Sequence, residues 1–138
     1  ERFRKAGLRS YNSFIADLTK EFPKELEPAF ADVILVDAPC TGSGTWARTP
    51  EQHYFFQPND LSFFADRQKA ICQNVMPGLK AGGYLIYITC AVFSRENNEV
   101  VQWLTDQLKL DLIAINVIDG TRRRSDSMFL AMLRKGQL

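Results

Sequence analysis

Residues 33–44 read VILVDAPCTGSG, an apolar run that changes abruptly into small and polar residues. Four apolar residues in succession, two of them valine and one isoleucine, predict a strand buried on both faces. Aspartate, proline and the glycines then end the strand and begin a tight loop. Because open α/β sheets bind ligands beyond the carboxyl ends of their strands, Asp37 and Cys40 lie where chemistry is expected.

A second strand is predicted to end in a thiol. Residues 84–90 read YLIYITC, another apolar run that ends in cysteine. If the two strands are neighbours in the sheet, Cys40 and Cys90 face each other across one crevice. For the first loop alone, a structural turn with an inert Cys40 is an equally good interpretation. Two strand-end thiols favour a shared site, either a redox pair or a nucleophile with a helper.

Length and composition predict one globular domain. The chain has 138 residues, of which 46% are hydrophobic, and its formal net charge of +1 makes no general case for a nucleic-acid partner. The three cysteines lack a disulfide spacing, so we expect reduced thiols in a cytoplasmic protein. No cysteine or histidine grouping indicates a metal site. No apolar stretch approaches the roughly 20 residues of a membrane helix.

The rest of the chain predicts strands that alternate with helices. Strands are expected at 11–16, 32–36, 84–89, 112–118 and 127–133, and helices are expected to begin near Pro58 and Ser94. This order favours a mostly parallel sheet with helices on both faces and an antiparallel C-terminal strand. Cys72, on the apolar face of the first helix, is expected to be a core thiol. The arginines at 122–124 are more typical of a solvated loop than of a phosphate site.

The two cysteine motifs together resemble those of the Sun/Fmu (RsmB-like) RNA cytosine-C5 methyltransferases. Residues 37–44, with Arg48 downstream, match the Asp-Ala-Pro-Cys loop of that family. Residues 87–90, followed by 96–97, match its Thr-Cys motif. Residues 125–131 read SDSMFLA and are similar to a degraded form of its Thr-Asp-Gly-Phe-Phe closing strand. The resemblance covers nearly the whole chain.

The resemblance implies an α/β fold, namely part of a Rossmann-like methyltransferase fold. Residues 1–138 would form the C-terminal part of the catalytic domain, and the cofactor-binding half would lie upstream. The implied cofactor is S-adenosylmethionine and the implied substrate is RNA, either rRNA or tRNA, whose base must leave its stack. The chain alone is expected to be inactive. A sheet edge left exposed would allow it to associate with itself.

The resemblance also implies catalytic roles for three residues. Carbon 5 of cytosine is too weakly nucleophilic to accept a methyl group unaided. Cys90 would add to carbon 6 and activate the ring, and Cys40 would assist breakdown of the covalent adduct. Asp37 would hold the polar edge of the base.

Binding roles follow from the same resemblance. Asp37 and Pro39 would border the cofactor, and Asp17, at the end of the first predicted strand, would face its adenine end. Arg48 and Thr89 would contact the RNA. No residue is assigned to a metal.

Three other functions fit parts of the pattern. A DNA cytosine-C5 methyltransferase would use Cys40 as its nucleophile, which leaves Cys90 without a role. A non-catalytic RNA-binding or scaffold domain would retain the fold without the reaction. A thiol redox protein would use Cys40 with Cys90, although redox pairs usually lie in a single Cys-x-x-Cys turn.

Overall fold

A four-stranded mixed sheet organises the computed structural model, which describes residues 2–121 and 125–137. The strands are Ala31–Asp37 (β1), Leu79–Thr89 (β2), Leu110–Ile118 (β3) and Met128–Lys135 (β4). Their order in the sheet is β1-β2-β4-β3. β1 and β2 are parallel, whereas β4 is antiparallel to both β2 and β3.

Two long helices connect the strands. The α-helices of the described residues are Arg2–Lys5 (α1), Pro50–Phe55 (α2), Pro58–Val75 (α3) and Asn98–Leu108 (α4). α3 begins where the sequence predicts, because Pro58 occupies its first turn and Asp60 accepts a hydrogen bond of 2.8 Å from the N–H of Gln57. α4 begins later than predicted, since Ser94–Glu96 forms a 3₁₀ turn and Asn97 precedes the helix.

The core lies between one face of the sheet and the two long helices. Leu85, Tyr87 and Thr89 of β2 are buried, and the intervening residues of the strand are more exposed. This alternation places one face of the strand towards the helices. α3 and α4 contact each other and therefore cover the same face. Cys72 of α3 is fully buried in this core, which confirms the prediction of a packed thiol.

The sheet corrects two of the predictions. It is parallel only in part, because β1 and β2 form the one parallel pair among the described residues. The two long helices share one face, and the other face of β1 exposes Val33 and Leu35, so the prediction of helices on both faces is not met in the described part of the chain. The antiparallel C-terminal strand is confirmed, although β4 lies inside the sheet.

The prediction of a strand at 11–16 is wrong. These residues have no regular secondary structure and are mostly exposed, since no neighbouring strand pairs with them in the described residues. The segment that follows packs through Leu18, whose carbonyl oxygen accepts a hydrogen bond of 2.9 Å from Asn74 of α3. β2 begins at Leu79 rather than at Tyr84.

Candidate active site at the strand ends

Cys40 and Cys90 follow the carboxyl ends of two neighbouring parallel strands. The register pairs Asp37 at the end of β1 with Ile88 near the end of β2, so the two loops leave the sheet side by side. The two Sγ atoms lie 3.3 Å apart, within hydrogen-bonding distance for sulfur. The predicted proximity of the two thiols is therefore confirmed.

The two thiols differ in acidity. The hydrogen bond from Cys40 lowers the pKa of Cys90 to about 7, against the opposing effects of partial burial and of the Asp37 and Asp126 charges. The same hydrogen bond, followed by burial, raises the pKa of Cys40. Cys90 is thus the more acidic of the two thiols, and its thiolate would accept the hydrogen bond from the thiol of Cys40. A thiolate is the nucleophilic form of cysteine.

The loop that carries Cys40 is held by Glu96, whose side chain is 0% exposed. The N–H of Thr41 donates to Oε1 of Glu96 at 2.8 Å, and the Thr41 hydroxyl donates to Oε2 at 2.6 Å. The amide of Gln68 in α3 donates to the same carboxylate at 3.3 Å and to the carbonyl oxygen of Pro39 at 3.0 Å. Sequence reasoning recognises Glu96 only as part of a motif and misses this contact.

Gly44 joins the two cysteine loops to the start of β4. Its N–H donates to the carbonyl oxygen of Cys90 at 2.8 Å, and its own carbonyl oxygen accepts from the N–H of Ser127 at 3.0 Å. A Cβ at this position would overlap the Ser127 carbonyl oxygen and lie 2.8 Å from that of Cys90. Both obstacles are backbone atoms, so the close approach requires glycine.

Thr89 shapes the turn that presents Cys90. Its hydroxyl donates to the side-chain oxygen of Asn97 at 2.6 Å and accepts from the N–H of Ala91 at 3.3 Å. The amide of Asn97 donates in turn to the carbonyl oxygen of Ala91 at 2.9 Å. Thr89 is fully buried and supports the turn through these contacts, and its contact with RNA stays a prediction.

An aromatic cluster packs the two loops together. Trp46 lies 4.9 Å from His53 and 5.2 Å from Phe56, measured between ring centroids. Phe56 stacks on Phe93 with ring centroids 5.6 Å apart, and Phe93 lies three residues after Cys90. The sequence indicates an irregular functional segment here, but it does not indicate which rings pack.

Three of the predicted site residues lie on the surface near the thiols. Asp37 and Pro39 are exposed at the end of β1. Arg48 is 69% exposed and forms a bidentate ion pair with Asp126, at 3.2 Å through Nε and 2.6 Å through Nη2. Both Asp37 and Asp126 act electrostatically on Cys90, which places them close to the candidate nucleophile.

Asp17 lies directly before a turn and contacts residues of that turn. Its carboxylate accepts hydrogen bonds from the N–H and the hydroxyl of Thr19, at 3.1 and 2.6 Å, and pairs with Lys20. The adjacent Leu18 contacts Asn74 near the end of α3, hence towards the amino end of β2. Cys90 follows the opposite end of that strand. The structure lacks the strand at 11–16 that was expected to end at Asp17, and a contact of Asp17 with the cofactor stays a prediction.

Three further observations bear on partners. Among residues 2–121 and 125–137, no group of three or more cysteine, histidine, aspartate or glutamate side chains is arranged to hold a metal ion. In the same part of the chain, no helix is both long and apolar enough to cross a membrane. The arginines at 122–124 lie outside the described residues.

Sequence comparison relates nearly the whole chain to a family of rRNA-modifying enzymes. The family model described as 16S rRNA methyltransferase RsmB/F matches residues 2–134. Ribosomal RNA small subunit methyltransferase F of Shewanella piezotolerans is 41% identical over 73 residues, which cover 53% of this chain and 15% of the relative. Ribosomal RNA small subunit methyltransferase B of Pasteurella multocida is 34% identical over 115 residues, which cover 75% of this chain and 26% of the relative. The chain therefore spans about a quarter or less of these relatives.

Solved structures show the same fold. PH0851 superposes with a TM-score of 0.86 at 25% identity, over 96% of this chain and 33% of that protein. NSun6 from Pyrococcus horikoshii, solved with SFG, superposes with a TM-score of 0.82 at 22% identity, over 99% of this chain and 37% of that protein. These similarities confirm a Rossmann-like α/β fold. The chain belongs to the 16S rRNA methyltransferase RsmB/F family.

Proposed function

We propose that this chain is the C-terminal part of the catalytic domain of an RNA cytosine-C5 methyltransferase, with Cys90 as its nucleophile. Family membership supports methyl transfer from S-adenosylmethionine to rRNA. The observation that carries the choice of carbon 5 is the thiol pair, in which an acidic Cys90 lies 3.3 Å from Cys40 beyond two parallel strands. A nucleophilic thiolate is what activation of carbon 5 requires.

The chemistry begins with addition of the Cys90 thiolate to carbon 6 of the flipped cytosine. The new bond from sulfur to carbon 6 displaces the electron pair of the C5–C6 double bond, which makes carbon 5 nucleophilic. S-adenosylmethionine, when bound, supplies the methyl group that carbon 5 accepts. A water molecule acting as a base then takes the carbon-5 proton. The electron pair of that C–H bond restores the double bond, and the bond from sulfur to carbon 6 breaks, which returns Cys90 as a thiolate.

Cys40 acts on the second half of this sequence. Its thiol donates a hydrogen bond to the sulfur of Cys90, and such a bond stabilises negative charge on that sulfur. During addition this stabilisation makes the thiolate more abundant but less nucleophilic, so the two effects partly cancel. During elimination it assists the departing thiolate without an opposing effect. Removal of Cys40 should therefore slow release of the product more than formation of the adduct.

The described residues fit one border of a site for the cofactor. Asp37 and Pro39 are exposed at the end of β1, an edge strand of the described sheet, where a Rossmann-like sheet places its ligand. Asp37 would accept hydrogen bonds from the cofactor or the base. A glycine-rich loop and a helix N-terminus, which usually hold such a cofactor, would come from a preceding segment. Arg48 would contact an RNA phosphate after exchanging Asp126 for it.

The test is product analysis with the protein that joins this chain to its upstream half. After incubation with rRNA and S-adenosylmethionine, the RNA is digested to nucleosides and analysed by mass spectrometry. We expect 5-methylcytidine from the wild-type protein and from a Cys72→Ala control, which changes a thiol buried in the core. We expect none from Cys90→Ser. Methylation at another position, or unchanged product from Cys90→Ser, would refute the proposal, and no product from any variant would favour a scaffold role.

A further inference from the structure

The residues on both sides of Cys40 are held by buried side chains. Before it, the carbonyl oxygen of Pro39 accepts a hydrogen bond of 3.0 Å from Gln68. After it, Thr41 donates twice to Glu96, from its N–H at 2.8 Å and from its hydroxyl at 2.6 Å. Contacts on either side restrict the backbone at Cys40. They therefore also restrict the position of its Cβ atom, from which the thiol reaches Cys90.

Glu96 is a costly residue to bury. Its side chain is fully buried, and no lysine or arginine forms an ion pair with it within 2–121 and 125–137. Burial of a carboxylate is unfavourable unless hydrogen bonds replace its water. Three donors do so here, two from Thr41 and one from Gln68 at 3.3 Å. The two shorter hydrogen bonds come from the Cys40 loop, so most of the compensation requires the loop to be in place.

We propose that Glu96 is a positioning residue, which holds the Cys40 loop through Thr41 so that the Cys40 thiol donates to the sulfur of Cys90. The proposal rests on the function proposed above and deepens it. Glu96 acts through Thr41, in a loop 55 residues away along the chain. If this hold is lost, the loop moves and the hydrogen bond between the two sulfurs is broken.

The direction in which the pKa of Cys90 changes when Glu96 is replaced distinguishes a positioning role from a direct electrostatic effect. A negative charge near a thiol raises its pKa, as Asp37 does at Cys90. If the Glu96 charge acted directly, its removal would lower the pKa of Cys90. Loss of positioning has the opposite sign, because the Cys40 donor is the main cause of the lowered pKa.

The test measures alkylation of Cys90 by iodoacetamide as a function of pH, resolved by peptide mass spectrometry on the purified chain. The groups that act on Cys90 in the wild-type chain are Cys40, Asp37, Asp126 and Arg48, and none of them is substituted. The reaction needs neither RNA nor a methyl donor. Failure of this proposal is therefore distinguishable from failure of the proposed function.

Two substitutions at Glu96 give opposite expectations. Glu96→Ala removes the acceptor of both hydrogen bonds from Thr41. We expect the midpoint of Cys90 alkylation to rise by about one pH unit or more. Glu96→Gln keeps two hydrogen bonds to Thr41, because the glutamine oxygen accepts from the Thr41 N–H and its amide donates to the Thr41 hydroxyl oxygen. We expect its midpoint to stay at or slightly below that of the wild type. A fall, or no change, in folded Glu96→Ala overturns the proposal.

A second variant covers the case in which Glu96→Ala fails to fold, as judged by circular dichroism. Thr41→Val keeps the β-branched shape and removes only the hydroxyl donor, and we expect a smaller rise in the midpoint of Cys90. An unchanged midpoint in this variant overturns the proposal. Glu99→Ala is the matched control, because Glu99 is exposed on α4 and contacts Arg95 at 3.8 Å. An equal rise in the control would also overturn it.

Discussion

Substitution of Gly44 by alanine should disturb the site and destabilise the fold together. The alanine Cβ would overlap the carbonyl oxygen of Ser127 and lie 2.8 Å from that of Cys90. Neither obstacle can move as a flexible side chain can, because both belong to the backbone. The loop must therefore shift away from β2 and β4, which breaks the hydrogen bonds from Gly44 to Cys90 and from Ser127 to Gly44.

The magnitude follows from these two effects. Overpacking of a close-packed position costs about 1–3 kcal/mol. Each of the two hydrogen bonds contributes about 0.5–1.5 kcal/mol. We therefore expect the free energy of unfolding to fall by about 2–6 kcal/mol, a large part of the roughly 5–15 kcal/mol that stabilises a typical domain. Because Cys90 is displaced as well, its alkylation profile should move to higher pH.

Urea denaturation followed by fluorescence, together with alkylation of Cys90, measures both effects. Gly136→Ala is the matched control, because nothing lies within 4 Å of a Cβ at that position. We expect the control to change the free energy of unfolding by less than about 0.5 kcal/mol. If Gly44→Ala also stayed within that margin, with an unchanged Cys90 profile, the assignment of Gly44 as the joint of the two loops would be refuted.

Two other predictions concern the chain alone. Alkylation of Cys90 should rise with pH through about 7, since its thiolate forms above that value, and Cys40→Ala should move the midpoint upward because the donor is lost. A wild-type midpoint at or above 9 would contradict this assignment. Calorimetric titration with S-adenosylmethionine should show no measurable binding if, as proposed above, a preceding segment supplies the rest of the site. Micromolar affinity, roughly −8 kcal/mol, would show that the site is complete without a preceding segment.

The sequence predicts those parts of the fold that depend on local patterns. The apolar runs at 33–36 and 84–89 locate β1 and the second half of β2, because buried strands require such runs. The proximity of Cys40 and Cys90 follows once these strands are parallel neighbours, since their carboxyl ends then meet. α3 is equally local, as Pro58 and the apolar spacing after it define its start and its buried face.

What the sequence does not predict depends on contacts between distant segments. β4 lies between β2 and β3 in the sheet. The apolar patterns of the strands do not favour this order over other pairings of the same strands. The hydrogen bonds from Thr41 to Glu96 span 55 residues, so the sequence around Glu96 indicates its place in the Thr-Cys motif but not this contact. The weak alternation of apolar residues at 11–16 does not produce a strand. A strand also needs a neighbouring strand whose backbone can accept and donate its hydrogen bonds.

The most direct test of the central claim is covalent trapping of RNA. The protein that joins this chain to its upstream half is mixed with rRNA and S-adenosylmethionine, and adducts are resolved on a denaturing gel. We expect Cys40→Ala to accumulate a protein–RNA adduct, because addition proceeds and elimination stalls, and Cys90→Ala to form none. An adduct with Cys90→Ala and none with Cys40→Ala would contradict the account and assign the nucleophile to Cys40.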